Sequence, residues 1–273
     1  MDIVKPEIAL VGNHDARTAL TDSYRQSTHA LESIQAFFDA FTQHHWSTAA
    51  QRVFFRNWRS PGIGAASFCA LTFRLLMEAD TAVAPNTRAL VYRSATRLSQ
   101  VSHEDVGIGT TNHQQLYDDF ARRISGDDEW KLDRYALAGA KPFLSTSRAY
   151  RQNGENLAHA ITVSLPEELY NHGEFTFVAP RFARWRKDIL GRPQEGWTDD
   201  LRFIHDHLGT TESGHFAALV LALEDYARAH AFTPDWTLLH QSNCDLIEDM
   251  AAHYVALDRR LRAEDAMEAC AVA

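Results

Sequence analysis

The residues best suited to chemistry are carboxylates and imidazoles that recur on the apolar stripes of separate helical segments. From Ser102 to Ile124 the sequence SHEDVGIGTTNHQQLYDDFARRI ends one helix on Glu104, crosses a Gly/Thr loop and opens the next helix at His113. Glu174 heads a stripe with Val178, Phe182, Trp185 and Ile189, and His215 leads Ala218, Leu219, Ala222 and Leu223. Such spacing marks one buried helix face. Glu212 stands three residues before His215 on the same face, and His207 lies one to two turns earlier beside Phe203 and Ile204. A buried carboxylate or imidazole is costly unless something satisfies it. Taken singly, a histidine on such a stripe is usually a satisfied core residue and a glutamate at a helix end is usually solvated. Together, two or three carboxylates and three imidazoles aimed at one interior match the needs of a non-haem metal centre, such as a pair of iron ions with positions left open for oxygen.

Other chemistries lack their patterns. HExxH, GxGxxG, the Walker loop and GxSxG are absent. Glu212-Ser213-Gly214-His215 is one Glu-x-x-His, whereas a ferritin-like dimetal bundle needs two. His205-Asp206-His207 has no strand context. Cys69, Cys244 and Cys270 are far apart, against a disulfide framework or a thiolate zinc site. A net charge of -9 with no Lys/Arg stripe disfavours nucleic acid as a partner. The acidic N-terminus does not read as a signal peptide, and no apolar run approaches 18 residues. The expectation is a cytoplasmic protein acting on a small molecule, without a membrane span.

The elements that must position these groups are helices. Helical periodicity covers 28–48, 65–78, 87–104, 113–124, 153–169 with a break at Pro166, 174–190, 199–230 with an irregularity near Gly209 and Gly214, and 234–262. Residues 131–150 read as short helices. Period-2 alternation is almost absent. The reading is one all-α domain spanning 1–273, of roughly eight to ten helices, with an irregular arm over 1–25 and a frayed tail over 263–273.

On these residues the chain resembles the haem-oxygenase-like diiron oxygenases and oxidases. In that family a helix ends on Glu, a glycine-bearing loop follows, and the next helix begins with His; here these are Glu104, the loop Val106–Asn112 and His113. A middle-helix Glu is matched by Glu174, ahead of the competing Glu168. A late helix supplies His, an acid and a second His, matched by His207, Glu212 and His215. The family places Asp four residues after the first of these histidines. Thr211 stands there, and Glu212 follows it.

The resemblance implies the haem oxygenase helical bundle holding two iron ions that use dioxygen, with an external reductant where one is needed. It implies oxidation of an amine, amino acid or related metabolite, by N-oxygenation or oxidative C–C cleavage, and a possible homodimer. Glu104 would bridge or chelate, His113 and Glu174 would complete one iron, and His207, Glu212 and His215 would hold the other. Glu104 and Glu174 are then the catalytic carboxylates. Arg93 or Arg97 would pair with a substrate carboxylate, and Phe182 and Trp185 would wall the site against water. The same bundle also hosts cofactor-free thiaminase-like and quinone-forming enzymes, and a non-catalytic helical binding protein is the third reading.

Overall fold

A computed structural model describes residues 2–59, 61–139, 141–192 and 195–272. The chain is all-α, 80% helical, with no strand among the described residues. Its helices are α1 Lys5–Leu10, α2 His14–Gln26, α3 Thr28–Phe41, α4 Thr48–Trp58, α5 Pro61–Thr81, α6 Pro85–Val106 and α7 His113–Ser125. They continue as α8 Pro142–Asn153, α9 Leu157–Thr162, α10 Leu165–Arg184, α11 Trp197–Asp200, α12 Arg202–Asp206, α13 Thr210–His230 and α14 Trp236–Val272.

Local chemistry sets the boundaries. Asn13, Ser47, Asn112 and Asn156 each accept a backbone N–H at the start of α2, α4, α7 and α9. Proline opens α6, α8 and α10, where its missing N–H costs no hydrogen bond. Pro166 therefore starts a helix where the periodicity predicts a break inside one. α10 begins nine residues before Glu174, and its first turn carries Glu167 and Glu168 on the buried side.

Two helices hold the rest together. α14 packs along α2, α3, α4 and α10, while α13 packs against α6 and α10. α10 is thus shared between the two halves. The core is aromatic: Phe41, Phe54, Trp58, Phe182 and Trp185 are buried, with ring centroids 4.1–6.0 Å apart for neighbouring pairs such as Phe41–Phe54 and Phe41–Phe182. Offset and edge contacts of this kind add roughly 1 kcal/mol each beyond area burial.

Two expectations about the ends do not hold. Residues 5–10 and 14–26 of the expected irregular arm are helices α1 and α2, burying Ile8, Ala16, Leu20 and Tyr24. The expected frayed tail continues α14 to Val272. Asp265 accepts the Ser47 N–H at 2.8 Å and pairs with His44 at 2.9 Å, and Glu268 accepts the Ala49 N–H at 3.2 Å. The far end of α14 thus satisfies donors that α4 leaves free at its start. Apart from the undescribed Ser60, the segment Thr48–Thr81 is long and apolar enough by length and composition to cross a membrane, a test that core helices also meet.

Candidate metal centre

Five helix ends converge on one group of acids and imidazoles. Glu104 and Asp105 close α6, His113 opens α7, Glu168 sits in the first turn of α10, His207 follows α12, and Glu212 and His215 stand in the first turns of α13. The α6–α7 connection is closed by Gly107. Its φ of 81° gives the left-handed C-cap, with its N–H on Glu104 O at 3.0 Å and the Ile108 N–H on His103 O at 2.9 Å. A Cβ there would lie 2.5 Å from the Asn112 backbone nitrogen. Only glycine fits both the dihedral and the contact. The tight return sets Asn112 to cap α7 and brings His113 Nδ1 to 2.9 Å from Asp105. Gly209, at φ 70° and ψ -123°, performs the second turn, between His207 and α13.

The side chains form a continuous series. The His113 and His207 rings lie 4.3 Å apart. His207 Nε2 is 3.7 Å from Glu212, and His215 Nδ1 is 3.2 Å from Glu168 and 3.9 Å from Glu212. His215 Nε2 is 3.0 Å from Glu104. Donor atoms of Glu168, Glu212 and His215 all lie within 4.8 Å of one another, and all three residues are buried. A group of this composition and spacing could hold a metal ion.

His207 is stacked on Phe175 at 4.2 Å, and its Nδ1 meets the Phe203 carbonyl. That bond places the proton on Nδ1 and leaves Nε2 as a lone pair facing Glu212. Burial, with His113 beside it, holds His207 well below its ordinary pKa and therefore neutral. Burial and then the nearby Glu168 drive Glu212 well above the usual carboxylate range. For His215, burial opposes the charged form, but Glu168, Glu212 and Asp105 outweigh it and push the ring up to about 10. Glu212 Oε2 is sealed from solvent with no hydrogen-bond partner among the described residues. Crowded acids and an orphaned carboxylate oxygen are what a bound cation would relieve. The oxygen- and nitrogen-rich donor set suits iron, manganese or zinc.

Glu174, the carboxylate expected from the middle helix, is engaged elsewhere. Its Oε1 accepts Trp58 Nε1 at 2.9 Å and pairs with Arg59, while Oε2 accepts the Tyr254 hydroxyl at 2.8 Å and the Tyr170 hydroxyl. Four donors fill both oxygens, so Glu174 has none left for a metal, and Glu168 takes the place in the group. Asp105 is the other member that periodicity passed over. Adjacent residues at a helix end diverge by about 100°, so Glu104 reaches His215 while Asp105 reaches His113.

The expected substrate contacts also lie elsewhere. Arg97 and Arg93 pair with the fully buried Asp225 at 2.8 and 3.3 Å. Phe182 stacks on Trp58 at 5.3 Å, and Trp185 donates its indole N–H to His44 O. Both aromatics are core residues. A cavity of about 280 Å³ instead meets the group at Asp105, His113, Glu168, His207 and Glu212. Its other walls come from α4, α5, α8, α10 and α14.

No protein-family model, curated protein or solved structure matches this chain. The centre therefore stands on its own geometry.

Proposed function

We propose that this protein is a metal-dependent oxidoreductase, a non-haem diiron oxygenase or oxidase acting on a small molecule. The observation that carries the reading is the unbroken series Asp105, His113, His207, Glu212, Glu168, His215 and Glu104, with an unpartnered Glu212 oxygen at its middle and a cavity at its side. His113, Asp105 and His207 would hold one ion, Glu168, His215 and Glu104 the other, and Glu212 would serve both. Two ferrous ions would supply electrons to dioxygen for oxidation of a bound substrate. The chain's own part is to hold the His207 ring neutral with its Nε2 lone pair toward Glu212, to exclude water with Phe175 and Phe203, and to seat the substrate in the adjoining cavity. The haem-oxygenase-like resemblance of the Glu104–His113 and His207–His215 segments supports the same reading.

Anaerobic reconstitution with ferrous iron followed by elemental analysis tests it. About two irons per chain are expected, with marked loss in Glu212→Ala; no retained iron in the wild type overturns the proposal. One observation favours a second reading. His215, bonded to both Glu168 and Glu104, has the geometry of an acid–base relay that needs no metal. Full turnover in the presence of a chelator would select it.

A further inference from the structure

One wall of the cavity beside the metal-ligand series carries two cations that form no ion pair among the described residues. That wall is formed by Lys141, the N-cap residue of α8, with Leu144, Ser145 and Arg148 of its first two turns, at the i, i+3, i+4, i+7 spacing that lines up along one side of a helix. The other charged groups around the cavity have partners. Arg56 pairs with Asp133, Arg59 with Glu174, and Glu167 with Arg151. Among the described residues Lys141 has a single acceptor, the Trp58 carbonyl at 2.8 Å, which leaves two of its three N–H donors for a ligand. Arg148 makes no ion pair among the described residues, and its Nε is sealed from solvent without a hydrogen-bond partner. Burial, followed by the neighbouring Arg59 guanidinium, pulls the Lys141 ammonium down to about 7. The nearest acids, Glu174 for Lys141 and Glu167 for Arg148, are already engaged by Arg59 and Arg151, and two partly buried cations with no ion pair of their own are stabilised when an anion joins them. The apolar walls of the same cavity include Leu246 and Met250 of α14 and Phe175 of α10.

We propose that Lys141 and Arg148 form an anchoring subsite for the oxyanion group of a small amphiphilic substrate, whose apolar body lies along Leu246, Met250 and Phe175 toward the metal-ligand series. This rests on the proposed oxidoreductase only for the chemistry at the far end; the anion subsite itself needs no metal. The cavity volume of about 280 Å³ lies at the lower edge of small-molecule sites. It limits the occupant to a short chain rather than a cofactor. A guanidinium and an ammonium together accept either a carboxylate or a phosphoryl group. The length of the apolar body and the identity of the head group are what the experiment separates.

Isothermal titration calorimetry on the full-length, metal-free protein would use hexanoate, hexyl phosphate and the neutral hexanamide as probes. Saturable binding of at least one of the two anions is expected, with hexanamide at least tenfold weaker. Preference for hexanoate or hexyl phosphate identifies the head group. Lys141→Met and Arg148→Met should each weaken anion binding at least tenfold, Arg148→Lys should recover part of it, and helical circular dichroism should be unchanged in all three. Equal binding of hexanamide, unchanged affinity in both Met variants, or no anion binding by the wild type overturns the subsite. Repeating the titration alongside iron analysis separates the two proposals. Anion binding without iron uptake removes the metal reading alone, and iron uptake without anion binding removes the subsite alone.

Discussion

Glu168 and Glu174 sit on one helix, six residues apart, in opposite circumstances. Glu174 is a fully served carboxylate at the junction of α4, α10 and α14, whereas Glu168 is crowded by acids and imidazoles. Removing one partner of a buried charge pair leaves the other uncompensated, at roughly 3–5 kcal/mol. Glu174→Ala should therefore lower the unfolding free energy from denaturant titration by that order while leaving iron stoichiometry intact in the folded fraction. Glu168→Ala should abolish or halve iron uptake with a stability change within about 1 kcal/mol, because it also relieves repulsion of Glu212. The reverse pattern in the paired melts and metal analyses would restore Glu174 as the ligand.

Lys141 gives a second prediction at the same scale. Its folded pKa of about 7 lies below the ordinary 10.5. Between those values the unfolded chain binds more protons than the folded one, so this group makes stability rise with pH from about 7 to 10.5. Below 7 its destabilising effect is fully present, and above 10.5 it is gone. Lys141→Met should stabilise the protein by about 1–2 kcal/mol at pH 7, a value discounted for water reaching the half-buried ammonium, and by almost nothing at pH 10.5. Urea titrations at the two pH values check this, and an equal effect at both would refute the assignment.

At the scale of elements, the site depends on turns more than on helices. Gly107 folds the α6–α7 loop back on Asn112, and any side chain there meets backbone at 2.5 Å while adopting φ 81°. Gly107→Ala should cost at least about 2 kcal/mol and part Asp105 from His113. Lowered thermal stability together with weaker iron binding is the expected result. A variant with wild-type stability and iron content would show that the loop relaxes freely.

The sequence made some of this placement legible and hid the rest for physical reasons. The i, i+3 spacing of Glu212 and His215 holds on a continuous α13, and the Gly209 irregularity is the turn between His207 and that helix. Glu168 was obscured because a stripe beginning at Glu174 satisfies helical periodicity on its own. Pro166 reads as a breaker when, at a helix start, it is a beginning. Arg93 and Arg97 could not be distinguished from ligand-binding arginines without Asp225, which lies 128 residues beyond Arg97.

At the scale of the whole molecule, the all-α class followed from pattern alone, because missing alternation and repeated 3.6-residue stripes depend on no tertiary detail. The ends of the chain did not follow. α1 is six residues long, too short for periodicity to declare, and α2 buries mainly alanines, Leu20 and Tyr24 within a polar sequence. The tail is helical through contacts with residues more than 200 positions earlier, which no local window contains.

Those distant contacts have a consequence for synthesis. α4 receives two of its starting acceptors from Asp265 and Glu268, and Glu174 receives the Tyr254 hydroxyl, all from α14, which is translated after the elements it contacts. A nascent chain carrying α1 to α13 must wait on the ribosome with the aromatic core of α4 uncovered and the Arg59–Glu174 pair incompletely satisfied. Native structure should then appear once α14 has been made, in a late, cooperative step rather than helix by helix. Ribosome-bound chains stalled after Phe232 should be cut readily by protease in α4. Strong protection of α4 at that length would show that the first thirteen helices fold without α14.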